Sequence, residues 1–158
     1  MGTEAKRTEI MEVDLDSLWD VITDYEGYAD FVDGLSSTKI IERKGNDVFV
    51  EYHINMMMKN FKYILKHSEK PKKGLEWEMV EGDFFKYNNG SWELKEKGKG
   101  KIEATYSVDI GFPLLVPKSI VNGLVGSSLP SMLKKFEKRA QERVSKGAKK
   151  KVKNKAIK

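Results

Sequence analysis

Between Asp47 and Met58 apolar side chains take every second position: Val48, Val50, Tyr52, Ile54, Met56 and Met58 share one phase, and Glu51, His53 and Asn55 fall in the other with Phe49 and Met57. Side chains of an extended chain point alternately to opposite faces, so this stretch predicts a long, half-buried strand. The alternation returns further on. Phe61, Tyr63 and Leu65 face inward with Lys62 and Lys66 outward; Leu75, Trp77 and Met79 alternate with Glu76 and Glu78. Another strand is expected around Trp92 and Leu94, and Ile102, Ala104, Tyr106, Val108 and Ile110 alternate with polar residues. Met58-Lys59-Asn60-Phe61, Lys70-Pro71-Lys72-Lys73-Gly74 and Lys97-Gly98-Lys99-Gly100 are short polar or turn-forming connections. Strands joined this closely predict an antiparallel meander.

The two ends of the chain read differently. Ala5 to Val13 mixes β-compatible and charged residues, as a strand at a sheet edge would. Asp14 follows as a helix N-cap, and Leu15, Leu18, Trp19 and Ile22 have the spacing of a short amphipathic helix. A second short helical segment holds Tyr28, Phe31 and Val32 and ends at Gly34. From Pro117 to Val144 apolar residues recur at three and four, among them Ile120, Val121, Leu124, Leu129, Leu133 and Phe136, which predicts a long helix covering the sheet. Pro130 predicts a kink or restart near Ser127 to Pro130. Gly123, Gly126, Ser127 and Ser128 supply little volume there, which fits either close packing or space for a guest beside the first half of the helix. The fold class is α+β.

Composition narrows the chemistry. A chain of 158 residues suits one domain, assigned to residues 1–146, with residues 147–158 as a basic, disordered tail. From Lys134 onward there are 12 Lys and Arg against 2 Asp and Glu, whereas the rest of the chain holds 17 against 22. The positive charge therefore belongs to the end, where it could touch phosphates of anionic membrane or of RNA. No apolar run approaches the roughly 20 residues needed to span a bilayer. The first residues lack an apolar signal core, so the expected location is cytoplasmic or peripheral at a membrane. Cysteine is absent, which removes disulfides, thiolate metal sites and cysteine nucleophiles. His53 and His67 lack the short spacing of a helical metal pair, and Glu76, Glu78, Glu81 and Asp83 read as a solvated sheet face. Neither Gly98-Lys99-Gly100 nor Gly123 with Gly126 resembles a phosphate loop. No catalytic residue, metal or cofactor is predicted.

The order strand, two short helices, strand meander and long helix resembles the START-like, helix-grip (SRPBCC) superfamily. The similarity is to its polyketide cyclase/dehydrase and lipid-transport branch, which includes coenzyme Q-binding proteins. Three segments carry it: Asp24-Tyr25-Glu26-Gly27-Tyr28-Ala29-Asp30-Phe31-Val32, Gly90-Ser91-Trp92-Glu93-Leu94, and Ser128-Leu129-Pro130-Ser131-Met132-Leu133. Ala29 stands where such proteins often have proline. The resemblance implies a curved antiparallel sheet wrapped around the last helix and enclosing an apolar cavity.

Met56, Met58, Tyr63, Trp77, Met79, Trp92 and Tyr106 fall in the inward phase of their strands, combining flexible thioethers with large flat rings. On composition alone a packed core explains them more simply. The resemblance makes them candidate ligand contacts, joined by Leu124 and Ser128 of the helix. Phe85, Phe112 and Leu115, in the apolar stretches Gly82-Asp83-Phe84-Phe85 and Gly111 to Pro117, are candidates for a cavity entrance; the alternative is that Phe84, Leu114 and Leu115 plug the core. The expected function is non-enzymatic carriage of a hydrophobic molecule, such as a lipid, an isoprenoid quinone or a polyketide-like aromatic. Two alternatives stand beside it. One is an aromatase/cyclase in which Tyr63, Tyr106 and Ser128 guide proton transfer; the other is a ribosome- or RNA-associated regulator acting through the basic tail.

Overall fold

The computed structural model describes residues 2–32, 34–56, 58–113, 116–118 and 129–157, with side chains described between 4 and 143 of those ranges except that of Met56. Among them, strands β1 (Gly2–Met11), β2 (Leu35–Lys44), β3 (Asp47–Met56), β4 (Lys59–Lys70), β5 (Gly74–Gly82), β6 (Tyr87–Gly98) and β7 (Lys101–Gly111) form one sheet. Its spatial order is β1, β7, β6, β5, β4, β3, β2, and every neighbouring pair is antiparallel. The meander from β2 to β7 is sequential, as its short connections require. Pairing β1 with β7 places the first strand at an edge and returns the start of the chain to the end of the meander.

Helix α1 (Leu15–Ile22) follows β1, and the Asp14 carboxylate accepts the Ser17 backbone N–H at 3.0 Å. Such a cap contributes about 1 kcal/mol. A 3-10 helix (Tyr25–Asp30) comes next, and Gly34, at φ +83, makes the left-handed turn into β2. Helix α2 (Leu129–Ile157) closes the chain, with Pro130 in its first turn, where a missing N–H breaks no helical bond. The helix continues to Ile157, where an irregular tail was expected from residue 147; Lys and Ala both propagate helices well. Residues 119–128, with the small-residue stripe, lie outside the described residues.

The core forms where α2 meets the sheet and the short helices. Leu133, Phe136 and Ala140 are buried on one face of α2, at positions three and four apart. The Phe136 ring packs edge-on against Tyr28 (5.5 Å between centroids), Phe31 (4.9 Å) and Trp92 (5.1 Å). Polar ties fix the helix along its flank. Glu137 accepts from the Glu12 backbone N–H at 2.7 Å, Gln141 donates to the Glu12 carbonyl at 2.9 Å, Arg139 pairs with Asp30 at 3.1 Å and Arg143 pairs with Asp24.

Strand β2 did not announce itself in the sequence. It is an edge strand with mostly exposed side chains, and bulges between Leu35 and Ser37 and between Ile40 and Glu42 interrupt its alternation. A third bulge lies opposite the step from Ile64 to Leu65, where Leu65 pairs with Met79 and Ile64 with Glu81, so that Val80 is the extra residue. It is 52 % exposed.

Gly90 marks a close approach that the fold depends on. A β-carbon there would lie 2.2 Å from Trp77 Cζ2 and 2.4 Å from the Ser107 carbonyl oxygen, so the missing side chain lets the indole lie against β6. Gly90→Ala is therefore expected to destabilise the protein by about 1–3 kcal/mol through overpacking. The urea midpoint measures this, and a midpoint equal to that of the parent protein would contradict the packing role.

Candidate functional site

The space left between the sheet and α2 is a cavity of about 380 Å³. Each central strand contributes side chains at every second position: Tyr52 and Ile54 from β3, Tyr63, Leu65 and His67 from β4, and Leu75 and Trp77 from β5. Asn88 and Trp92 follow from β6, and Tyr106, Val108 and Ile110 from β7. Leu129, Met132, Lys135 and Phe136 of α2 form the opposite wall, and Tyr28, Val32, Gly34 and Leu35 close one side. Rings dominate the surface. Tyr52 and Tyr63 stack in parallel at 5.0 Å, and Tyr106 sits 5.3 Å from Trp77 and 5.0 Å from Trp92.

A band of polar groups crosses this apolar floor, one residue from each of four adjacent strands. The Tyr52 hydroxyl and His67 Nε2 share a hydrogen bond of 2.7 Å, the His67 and Trp77 rings lie 6.1 Å apart, and Trp77 Nε1–H donates to Asn88 Oδ1 at 3.1 Å. Behind the band, the Tyr25 ring packs on His67 at 4.4 Å while its hydroxyl donates to Glu69 at 2.6 Å. His67 Nδ1 is buried with no hydrogen-bond partner among the described residues.

Burial controls the protonation of these groups. It pushes the His67 imidazole down to about 3, so the ring is neutral at physiological pH. Burial also raises Tyr28, Tyr52, Tyr63 and Tyr106 above the usual phenol range, which keeps their hydroxyls protonated. No cluster of three or more metal-ligating side chains occurs among the described residues. The cavity floor therefore offers neutral hydrogen-bonding groups set in aromatic surface. Among the described residues the one lysine or arginine lining it is Lys135, on the helix side.

The sequence carries the family relationship directly: a family model for polyketide cyclase/dehydrase and lipid transport matches residues 11–137. The chain belongs to this polyketide cyclase/dehydrase and lipid-transport family. No curated protein matches the sequence. Among solved structures, the protein TTHA0849 from Thermus thermophilus is 16 % identical with a TM-score of 0.77, the match covering 89 % of this chain and 99 % of that one. A START superfamily protein from Mycobacterium smegmatis is 15 % identical with a TM-score of 0.74, over 88 % of this chain and 97 % of the other. The Zhui aromatase/cyclase from Streptomyces sp. R1128 is 15 % identical with a TM-score of 0.70, over 91 % and 96 %. These likenesses establish the helix-grip fold of START-like proteins, in which enzymes and binding proteins share one scaffold.

Within this family frame, the structure sorts the residues expected from the sequence. Tyr63, Trp77, Trp92 and Tyr106 all line the cavity. Met58 does not: it is fully exposed, at φ 63 in the tight link between β3 and β4, where the chain leaves the pleat and its alternation ends. Met79, the cross-strand partner of Leu65, packs against the core with its sulfur beside Gly82 and is not among the residues lining the cavity. Phe85 and Phe112 were expected at an entrance. Both are buried and pack edge to face at 5.7 Å, with Phe85 forming part of the wall. The side chain of Met56, and Leu115, Leu124 and Ser128, lie outside what is described.

Two polar members of the band, His67 and Asn88, were not assigned to the cavity from the sequence although their phase was visible. His67 continues the inward series Phe61, Tyr63, Leu65, and Asn88 precedes Trp92 and Leu94 by whole strand repeats. Polar residues in an inward phase are the signal that finds such positions.

The neutral, buried imidazole has a consequence for stability. Between its unfolded value near 6.5 and its folded value of about 3, the unfolded chain binds a proton that the folded protein does not. Stability is thus lost as pH falls through that window, by roughly 4–5 kcal/mol in total from this group. His67→Phe keeps a ring against Tyr25 and removes the titration. Denaturation midpoints at pH 7, 5 and 4 are expected to fall less steeply in the variant; equal slopes would show that His67 does not titrate this way.

Proposed function

We propose that the protein binds and carries a neutral hydrophobic molecule containing a ring, without transforming it. The observation that carries this reading is the cavity wall: stacked tyrosines and two tryptophans around about 380 Å³, with hydrogen-bonding groups held neutral by burial. Contact between aromatic rings and a flat guest adds to the burial of apolar surface, which contributes about 0.8 kcal/mol per methylene-sized group. The volume is at the small end of the usual range for ligand sites, about 300–1000 Å³. A ring system with short substituents fills it. A quinone head or a polyketide-like aromatic fits that description, while a long isoprenoid or acyl tail would extend beyond it.

The membership of an aromatase/cyclase among the structural neighbours keeps a catalytic reading in view, and the Tyr52–His67 pair is the observation that favours it. Proton transfer near neutral pH works best with a group whose pKa lies near 7. An imidazole held near 3 and phenols held above their usual range are poor bases and poor acids respectively. Binding without turnover accounts better for such a site. The lysine-rich end supplies a further part of the proposal, transient contact with anionic membrane during loading and release.

Native mass spectrometry of the purified protein with solvent extraction is expected to reveal a co-purifying ring-containing molecule. Leu65→Trp, which adds bulk to the cavity wall, is expected to weaken binding of such a molecule at least about tenfold, or ~1.4 kcal/mol, with the fold retained by circular dichroism. Absence of any extracted molecule, together with no binding across quinones, phospholipids and aromatic polyketides, would end the carrier reading. Turnover abolished by Tyr63→Phe or Tyr106→Phe would replace it with the cyclase. For the basic end, removal of residues 148–158 is expected to abolish co-sedimentation with phosphatidylserine vesicles; undiminished sedimentation would remove the membrane role.

A further inference from the structure

The polar groups of the cavity differ in what they can tell apart. A tyrosine hydroxyl both donates and accepts, so Tyr63 and Tyr106, whose hydroxyls have no hydrogen bond to another side chain among the described residues, tolerate either kind of partner. Asn88 is more restricted. Its Oδ1 accepts the Trp77 indole N–H at 3.1 Å, which fixes the amide orientation and leaves the NH₂ group as the end available to a guest. The residue is 6 % exposed and lines the cavity, so this donor is remote from bulk water. A buried amide N–H without an acceptor costs about 1–3 kcal/mol. Trp77 is held in turn by Gly90, whose missing side chain accommodates the indole, and Ile110 is the cross-strand neighbour of Asn88. The donor is thus rigidly placed in an apolar surround.

We propose that Asn88 is a specificity-determining residue that donates through Nδ2 to an acceptor oxygen on the guest, selecting ring molecules that carry a carbonyl, with Trp77 as its positioning residue. This rests on the ring-guest reading above and adds the functional group that the guest must carry. Guests lacking an acceptor at that point leave the amide unpaired. Guests presenting only a donor there are rejected for the same reason.

The test uses the full chain and two flat tricyclic probes of nearly equal shape, 9-fluorenone and fluorene, which differ by a carbonyl in place of a methylene. Dissociation constants for both are measured by quenching of tryptophan fluorescence, in the parent protein and in Asn88→Leu. Comparing the ratio between proteins cancels the difference in hydration of the probes. The preference for fluorenone is expected to fall about tenfold in the variant. An unchanged ratio would overturn the role of Asn88 while leaving the ring-guest reading intact, whereas failure of both probes to bind the parent protein would overturn both. Two measurements do not depend on Asn88→Leu folding. The carbonyl stretch of fluorenone bound to the parent protein is expected below its position in hexane, and Trp77→Phe, which frees the amide to turn, is expected to lose part of the preference. A stretch at the hexane position would reject the hydrogen bond outright.

Discussion

An open antiparallel sheet with one apolar face cannot stay in water uncovered, and among the described residues α2 covers it together with the two short helices. Phe136 carries that contact, meeting Tyr28 and Phe31 on the helical side and Trp92 on the sheet. Leu133 and Ala140 extend it by one turn in each direction. Because the helix is also tied along its flank through Glu137, Arg139, Gln141 and Arg143, its distance from the sheet is set by these contacts. Collapse onto every inward side chain is prevented. The cavity is what remains between a cover anchored at its flank and a sheet floored with large rings.

The interior of that space is unusual in carrying hydrogen-bonding groups without ionised ones on its sheet side. Placing Tyr52, His67, Trp77 and Asn88 on successive strands lets each satisfy a neighbour across the sheet, so the band survives burial. Desolvation then keeps the histidine neutral and the phenols protonated. The same burial that makes the site a poor proton-transfer centre makes it a suitable receptor for uncharged, ring-shaped guests. Stability at low pH is the cost, since the unfolded chain gains a proton that the folded imidazole refuses.

The meander, the capped first helix and the final helix from Leu129 on could be read from alternation, from Asp14 and from the three-and-four spacing of Leu129, Leu133 and Phe136. Part of the cavity wall was legible the same way: Tyr63, Trp77, Trp92 and Tyr106 stand in the inward phase and line the cavity. The errors have local causes. Met58 kept its phase in the sequence but sits past the point where the chain turns, and Met79 kept its inward phase opposite Leu65 but packs into the core beside Gly82. Strand β2 was hidden by its bulges and by the polar composition of an edge.

What the sequence by itself determined is the set of strands other than β2, their inward faces and the helix that covers them, because periodicity follows from backbone geometry within each segment. Only the tertiary structure decided which inward residues border empty space and which are packed, for that depends on how far α2 stands from the sheet. It also decided that Phe85 and Phe112 are buried and packed on each other. The pairing of Tyr52 with His67 and of Trp77 with Asn88 belongs there too, since cross-strand register brings together residues 15 and 11 positions apart. Their chemistry is a property of that register and of the burial it imposes.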